Sequence, residues 1–283
     1  MKWLSLIILL FVAGAALSAP DSLDTIAQSP VYLRPLALRH HSAPQPEIVP
    51  WRLAVFGTIT AGAVGLCFSR MEDWWGAGKD VPFHFKQDDW GNDNLAQTDE
   101  ISHALVSYKI AQAGMGLSRW SGLTPGTSRI VGGSISLSIM FGVEMVDAYN
   151  PYQGFGVSDM IFNTIGVAFA VARDRWPEHL GMFDLRLSIK STEDMSSEII
   201  AKTMAENFNY IYWLTVSPVR DYPVHFGLGY SANYDNPERI AEREIYLGFG
   251  TSIAEIAGIF DPRWRQRLDI YSFYDFTFSF RVH

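Results

Sequence analysis

The 283-residue chain contains a single cysteine, Cys67. An intramolecular disulfide is therefore excluded, and Cys67 lies in an apolar run where a small buried hydrophobe is the expected role. No cysteine sits at the expected signal cleavage site, so a lipid anchor on a processed cysteine is not expected. Basic runs and basic–aromatic interleaving are also missing, and the formal net charge is −8, which excludes nucleic acid as a partner. HExxH, GxSxG and glycine-rich phosphate-cradling motifs are absent. Charged residues make up only 18% of the chain against 48% hydrophobic and 14% aromatic residues, so disorder is excluded for most of the length.

What is present begins with a secretory signal. Lys2 is followed by an apolar stretch from Leu4 to Leu17, with small residues at Ala16 and Ser18, and Pro20 disfavours cutting after Ala19. Residues 1–18 are read as a signal peptide cleaved after Ser18, and 19–50 as an extended leader containing Pro30, Pro35, Pro44, Pro46 and Pro50. The expected location is the bacterial cell envelope, with inner and outer membrane left open. Residues 51–176 are read as a bundle of about four helices, and 177–283 as an antiparallel region of about five strands, an α+β chain.

The first helix runs over Trp51–Phe68, and a loop rich in Trp and Asp follows from Arg70 to Asn94. A second helix spans about Glu100 to Trp120, capped by Thr98 or Asp99 and stopped by Ser121-Gly122. A third runs from Thr127 or Ser128 to about Tyr149. A fourth starts near Ser158, a good N-cap and so not read as a nucleophile, and ends before Pro177. After Pro177 the period changes to two. Phe183, Leu185, Leu187 and Ile189 alternate with polar residues, as do Phe226, Leu228 and Tyr230, then Ile245, Leu247 and Phe249, then Phe276, Phe278 and Phe280. Such strands suit either a sheet whose apolar face packs on the helices, which is preferred, or a lipid-facing wall.

Polar intrusions on the helices point to function. Asp99 and His103 are four apart, with Ser107 four further on. Glu144 and Asp147 are three apart, and Asp159 and Asn163 four apart. Each set shares a helix face, and short connections allow the faces to meet in one pocket. Asp99 would orient His103 and raise its pKa. His103, Glu144, Asp147, Asp159 and Asn163 are the candidate catalytic residues, with Asp99 and Ser107 supporting. His103, Glu144, Asp147 and Asp159 form a donor set that suits a hard or borderline divalent metal, although no cofactor is specified. His84, His179 and His225 read as isolated and exposed. Arg173, Asp174 and Arg175 read as a solvated helix end, and Arg119 as a surface residue or the partner of an acid near a helix end.

The pattern Asp99-Glu100-x-x-His103, Glu144-x-x-Asp147 and Gly154-x-Gly156-x-Ser158-Asp159-x-x-x-Asn163-x-x-Gly166 resembles the YfiM-like family of bacterial envelope proteins. It is more distantly similar to the VanZ-like family of small helical membrane proteins. The resemblance covers about Asp88 to Trp176 and implies an envelope location and a helical core without a defined reaction. Relatives commonly carry Asp-Lys before the histidine, where this chain has Asp99-Glu100.

Two functions follow. One is an envelope protein whose His/carboxylate pocket acts on or binds a lipid or cell-wall intermediate, with His103 as general acid or base. The other is a non-catalytic scaffold in which the same residues are helix-packing glue. Whether the protein is an enzyme is left open, a membrane or lipid is the expected partner, and no protein partner is specified.

Overall fold

A buried central helix sets the architecture, and glycines let its neighbours approach it. The computed structural model describes residues 47–75, 81–87, 96–190, 210–218, 223–233, 242–260 and 276–282. The elements, in chain order, are helices α1 (Pro50–Trp75), α2 (Thr98–Trp120), α3 (Pro125–Asp147), α4 (Val157–Arg175) and α5 (Pro177–Leu180), and strands β1 (Phe183–Ile189), β2 (Tyr210–Val216), β3 (His225–Asn233) and β4 (Glu242–Thr251), then helix α6 (Ile253–Phe260) and strand β5 (Phe276–Arg281). The chain is α+β, with five antiparallel strands in the order β1-β2-β3-β4-β5. The signal segment, nearly all of the leader and the polar stretch 191–207 lie outside the described residues.

Local chemistry explains the helix starts. Pro50, Pro125 and Pro177 open α1, α3 and α5, where the missing N–H would have had no helical partner. The Thr124 hydroxyl caps α3 by accepting from the Thr127 amide at 3.2 Å. Three sequence expectations are corrected. Helix α1 continues past Phe68 to Trp75. The N-cap position of α2 is Gln97, without a side-chain cap, so Thr98 and Asp99 lie inside the first turn. Gly156 rather than Ser158 occupies the N-cap of α4.

Helix α2 is buried along most of its length and packs against both α3 and α4. A Cβ on Gly132 of α3 would lie 2.5 Å from the Met115 amide nitrogen and 2.9 Å from the Ala111 carbonyl oxygen, both α2 backbone atoms. Gly166 of α4 sits equally tight on the Ala104 carbonyl and the Ser107 hydroxyl. The contacts with Met115 N, Ala111 O and Ala104 O are backbone approaches that no side-chain rotation can relieve. Helix α3 is the one described helix long and apolar enough to cross a membrane by length and composition, features that a core helix shares.

The sheet joins the bundle through β1. Tyr108 of α2 donates to Asp184 Oδ1 at 2.7 Å, and accepts from Gln112 Nε2 at 2.9 Å and Arg173 Nη1 at 3.1 Å. Asp174 next door pairs with Arg129 at 2.7 Å and Arg119 at 2.5 Å, so the end of α4 is tied into the fold rather than merely solvated. Leu187, Tyr210 and Tyr212 share the main apolar core with Leu105, Val106 and Ile110.

Cross-strand partners lie on one face. Followed across the register, the face of Leu187 and Tyr212 continues through Tyr230 to Ile245, and the next row runs Leu214, Leu228, Leu247, Phe280. That second row is exposed throughout. The opposite face carries Asp184, Arg186, Thr215, Ser231 and Glu244, all buried. Among the described residues, an apolar face packed on helices is thus found only where α2 reaches the sheet, and farther out the usual polarity of a soluble sheet is reversed.

Gly132→Ala should destabilise the fold by about 1–3 kcal/mol, because the added methyl meets fixed α2 backbone. Chemical denaturation of the variant checks this, and an unchanged midpoint would contradict the close crossing.

Candidate functional site

The site lies where the start of α2, the end of α3 and the start of α4 meet. His103 on α2 lies between two acids: its Nδ1 is 3.3 Å from Glu144 Oε1 on α3, and its Nε2 is 3.8 Å from Asp99 Oδ1 one turn back. Asp159 joins this group from the first turn of α4. Asp99, His103 and Asp159 each present a ligand-type atom within 4.8 Å of one another. Ser158 donates to Glu100 Oε1 at 3.1 Å, adding a further buried carboxylate.

The cation comes from a segment that carries no helical or strand period. Residues 81–87 form a strap along the α3–α4 connection, with His84 N to Ala148 O at 3.0 Å, Phe155 N to His84 O at 2.9 Å and Lys86 N to Phe155 O at 3.0 Å. Lys86 Nζ then reaches Asp99 Oδ2 at 3.1 Å and Asp159 Oδ2 at 3.3 Å, with its side chain only 5% exposed. Gly154 has φ +112°, and a Cβ there would lie 2.6 Å from the Lys86 nitrogen, so both conformation and space require glycine. Gly156 donates its amide to Glu144 Oε2 at 3.0 Å, and a Cβ on it would collide with the Asp159 carboxylate. The Gly154-x-Gly156 pair therefore seats the strap and two acids at once.

The sheet fixes the entrance to α2. Ala96 and Gln97 both have positive φ, 49° and 62°, which is unfavourable for residues with a Cβ. The Tyr230 hydroxyl donates to Ala96 O at 2.5 Å, and Arg243 donates to Gln97 Oε1 at 2.6 Å and 3.1 Å. Asp99 is two residues beyond this clamp.

Other residues named from the sequence fall differently. Asp147 is buried at the end of α3, its carbonyl accepting from Gly154 N at 2.9 Å. Asn163 is fully buried one turn past Asp159, and its Nδ2 lies 4.0 Å from the Met160 sulfur. Ser107 is not brought to the cluster: its hydroxyl donates to Ala104 O at 3.1 Å and it packs at the Gly166 crossing. Lys86 and Glu100 are the residues missed by sequence reasoning.

Burial and charge set the protonation. Burial alone would lower the pKa of His103, but Asp99, Glu144, Asp159 and Asp147 together outweigh it and raise it above its ordinary value. Burial pushes Glu144 up to about 8, assisted by Asp159 and Asp147 and opposed by His103 and the Gly156 amide. Burial likewise raises Asp147 to about 7 and lifts Asp159, where His103 and Lys86 oppose it. Lys86 is held charged by Asp99 and Asp159 against its own burial. The site thus carries carboxyl groups that exchange protons near neutral pH, beside an imidazole, which is the equipment of general acid–base chemistry. The same donors suit a divalent ion, with Lys86 supplying part of the positive charge that an ion would bring.

A second buried acid offers a contrast. Glu255 of α6 accepts from both terminal nitrogens of Arg186 at 3.1 Å, from Ser252 N at 2.8 Å and from Ser217 Oγ at 3.4 Å. His225 Nδ1 lies 2.9 Å from the same carboxylate. His225 is fully buried, correcting the exposed, isolated position expected for it. In the first cluster, by comparison, Asp147 Oδ1, Asp159 Oδ1 and Asn163 Oδ1 are buried without a hydrogen-bond partner among the described residues, and so are His103 Nδ1 and Glu144 Oε1, which face each other at 3.3 Å without hydrogen-bond geometry.

Comparison with known proteins places this arrangement. Residues 89–175 match the DUF2279 family, described as a predicted periplasmic lipoprotein. That stretch, under a third of the chain, contains every helical site residue, and Lys86 of the strap lies just before it. The match supports a location in the bacterial cell envelope and association with a membrane, and it carries neither the YfiM-like nor the VanZ-like name. No curated protein and no solved structure matches the chain.

Two outcomes are expected. Glu144 and Asp147 hold protons in the folded protein at pH values where the unfolded chain has released them, so their stabilising contribution is complete below the unfolded carboxylate range and is lost as pH rises through about 7 for Asp147 and about 8 for Glu144. The raised pKa of His103 adds to the fall once pH passes the ordinary imidazole value. Thermal unfolding should therefore show Tm falling from pH 5 to pH 8.5, each group contributing up to about 1.4 kcal/mol per pH unit within its window, and Glu144→Gln should flatten the profile. Lys86→Met should cost roughly 3–5 kcal/mol at pH 8 by stranding the buried Asp159 carboxylate beside the half-buried Asp99. The loss should be smaller at pH 5, where Asp159 can take up a proton. A pH-independent penalty would contradict the pairing.

Proposed function

We propose that this envelope protein uses the His103 cluster as a proton-transfer site that acts on or binds a lipid or cell-wall intermediate. The observation that carries this reading is the set of buried polar atoms without hydrogen-bond partners. Four of the five belong to ionisable residues, and all come from the three helix ends that meet at His103. A buried polar group left unsatisfied costs about 1–3 kcal/mol, and in this pocket the cost falls on three carboxyl oxygens, whereas the Glu255 carboxylate is met by donors on both oxygens. Stability given up at one place is a usual mark of a functional site.

In this reading His103 takes or gives the proton, Asp99 orients and charges it, and Glu144 at 3.3 Å receives or returns the proton on the opposite ring nitrogen. Asp147 and Asp159 keep the local potential negative, and Asn163 offers a neutral acceptor. A lipid-like ligand is supported by the apolar rim. Phe83, Phe85, Tyr149 and Tyr152 are exposed around the strap, and Phe83 lies 5.3 Å from Phe85 and 6.0 Å from Tyr149, ring to ring.

The second reading, packing glue, is favoured by the Lys86, Ser158 and Gly156 hydrogen bonds that tie the segments together. Stability separates the two. A proton-transfer site predicts that His103→Gln and Glu144→Gln leave Tm at pH 8 unchanged or raise it. Glue predicts a loss of more than about 1 kcal/mol for each, the worth of a lost buried hydrogen bond. Elemental analysis of the purified protein, with His103→Gln as control, tests the metal-assisted form. A stoichiometric divalent metal lost in the variant would assign His103 as a ligand, and its binding would displace protons from Glu144 and Asp147.

A further inference from the structure

The two ring nitrogens of His103 have different company. Nδ1 faces Glu144 Oε1 at 3.3 Å, and Nε2 lies 3.8 Å from Asp99 Oδ1. Asp99, His103 and Asp159 each offer one ligand atom, all within 4.8 Å of one another. Donors bound to one ion at about 2.0–2.2 Å stand about 3–4.4 Å apart, so the 3.8 Å between Asp99 and His103 falls in that range. Lys86 takes one oxygen from each aspartate, Oδ2 in both cases. The other oxygen of Asp159, Oδ1, is buried with no hydrogen-bond partner among the described residues.

A neutral side chain points to the same place. Asn163 is fully buried, and its Oδ1 also has no hydrogen-bond partner among the described residues. It stands one turn after Asp159 and one turn before Gly166 on α4. Asp159 approaches Asp99 and His103, and Gly166 packs on Ala104 and Ser107. The face between them, which carries Asn163, therefore looks onto α2 beside His103. The unpartnered atoms of Asp147, Asp159 and Asn163 are all oxygens, which only accept when the carboxyls are ionised, so the missing component is a cation.

We propose that Asp99, His103 through Nε2 and Asp159 form a three-ligand site for a divalent first-row ion such as zinc(II) or manganese(II), with Asn163 Oδ1 as acceptor for a water on the ion. One imidazole with two carboxylates suits these ions better than calcium, which takes oxygen ligands only. Glu144 holds the place of the carboxylate that a metal-bound histidine normally meets through its second nitrogen, and the Gly156 amide at 3.0 Å fixes it there. Lys86 positions both aspartates by their other oxygens. The donor set read from helix spacing is thereby revised: Asp99 enters it, and Glu144 becomes a positioning residue on the far side of the ring. The site rests on the metal-assisted form of the proposed function, and three protein ligands leave positions for water or a ligand oxygen.

The test is calorimetric titration of the full chain, treated with EDTA and dialysed, with zinc(II) and with manganese(II). The expected result is one ion per chain. Asp159→Asn and His103→Gln should each weaken binding by roughly a hundredfold or more, and Glu144→Gln by about 10- to 100-fold with the stoichiometry kept. Replacing the paired leader histidines, His40→Gln/His41→Gln, should leave binding unchanged. A reading that needs no site variant is the imidazole nitrogen spectrum of that double variant, in which zinc should shift Nε2 of one histidine while its Nδ1 stays protonated. Absence of binding by the unaltered chain overturns the proposal, as does ligation through Nδ1. Binding that survives Asp159→Asn and His103→Gln but is lost with His40 and His41 overturns it in favour of an adventitious ion only. If no ion binds and metal-free His103→Gln keeps its Tm at pH 8, the ion is overturned and proton transfer stands. If the ion binds as expected and that variant loses Tm, the ion stands and metal-free proton transfer does not.

Discussion

Asp99 and Asp159 sit on different helices and share one buried space, where two carboxylates would repel each other and exclude ionisation of at least one. The Lys86 ammonium touches both, and the position of that ammonium constrains most of what surrounds it. The strap must run close to the α3–α4 connection, which demands glycine at 154. The connection must turn tightly enough to hand an amide to Glu144, which demands glycine at 156. Helix α4 must lie against α2 closely enough to bring Asp159 within reach, and Gly166 permits that approach. One pairing of charges thus accounts for three glycines in a thirteen-residue motif.

The two buried acid clusters show how differently a fold can treat a carboxylate. Glu255 is saturated with donors and lies below its ordinary pKa, held there against burial by His225 and Arg186. Glu144 receives one amide and is pushed the other way. Similar burial gives opposite protonation because the number of donors differs, and only the second arrangement has a proton to trade near neutrality.

The helical stripes were legible because spacing of three and four residues fixes a common face whatever the tertiary structure does. His103, Glu144 and Asp159 follow from that rule alone. Lys86 was not legible, since a residue in an aperiodic segment has no face to be assigned to. The signal that could have found it was the acid-rich start of α2, where Asp99 and Glu100 stand together beside the acids of the other stripes, so that a group of acids was left needing a positive charge from elsewhere. His225 was misplaced for a different reason. Alternation correctly set it opposite Phe226, but the polar face of a strand was equated with solvent, and here the polar face is the buried one. Ser158 shows the limit of capping rules: a residue with the right chemistry sits two positions inside the helix because Gly156, with φ −85° and ψ 111°, makes the bend.

The clamp of Tyr230 and Arg243 on Ala96 and Gln97 has a consequence for the order of assembly. The contact spans more than a hundred residues, and contacts of such separation form late because a long loop must close first. The left-handed backbone just before Asp99 has no side-chain cap to hold it meanwhile. A chain emerging N-terminus first would carry all the acids of the cluster long before the residues that lock α2 in place. The cluster would therefore reach its final geometry only when the last third of the polypeptide has been delivered and its strands have paired.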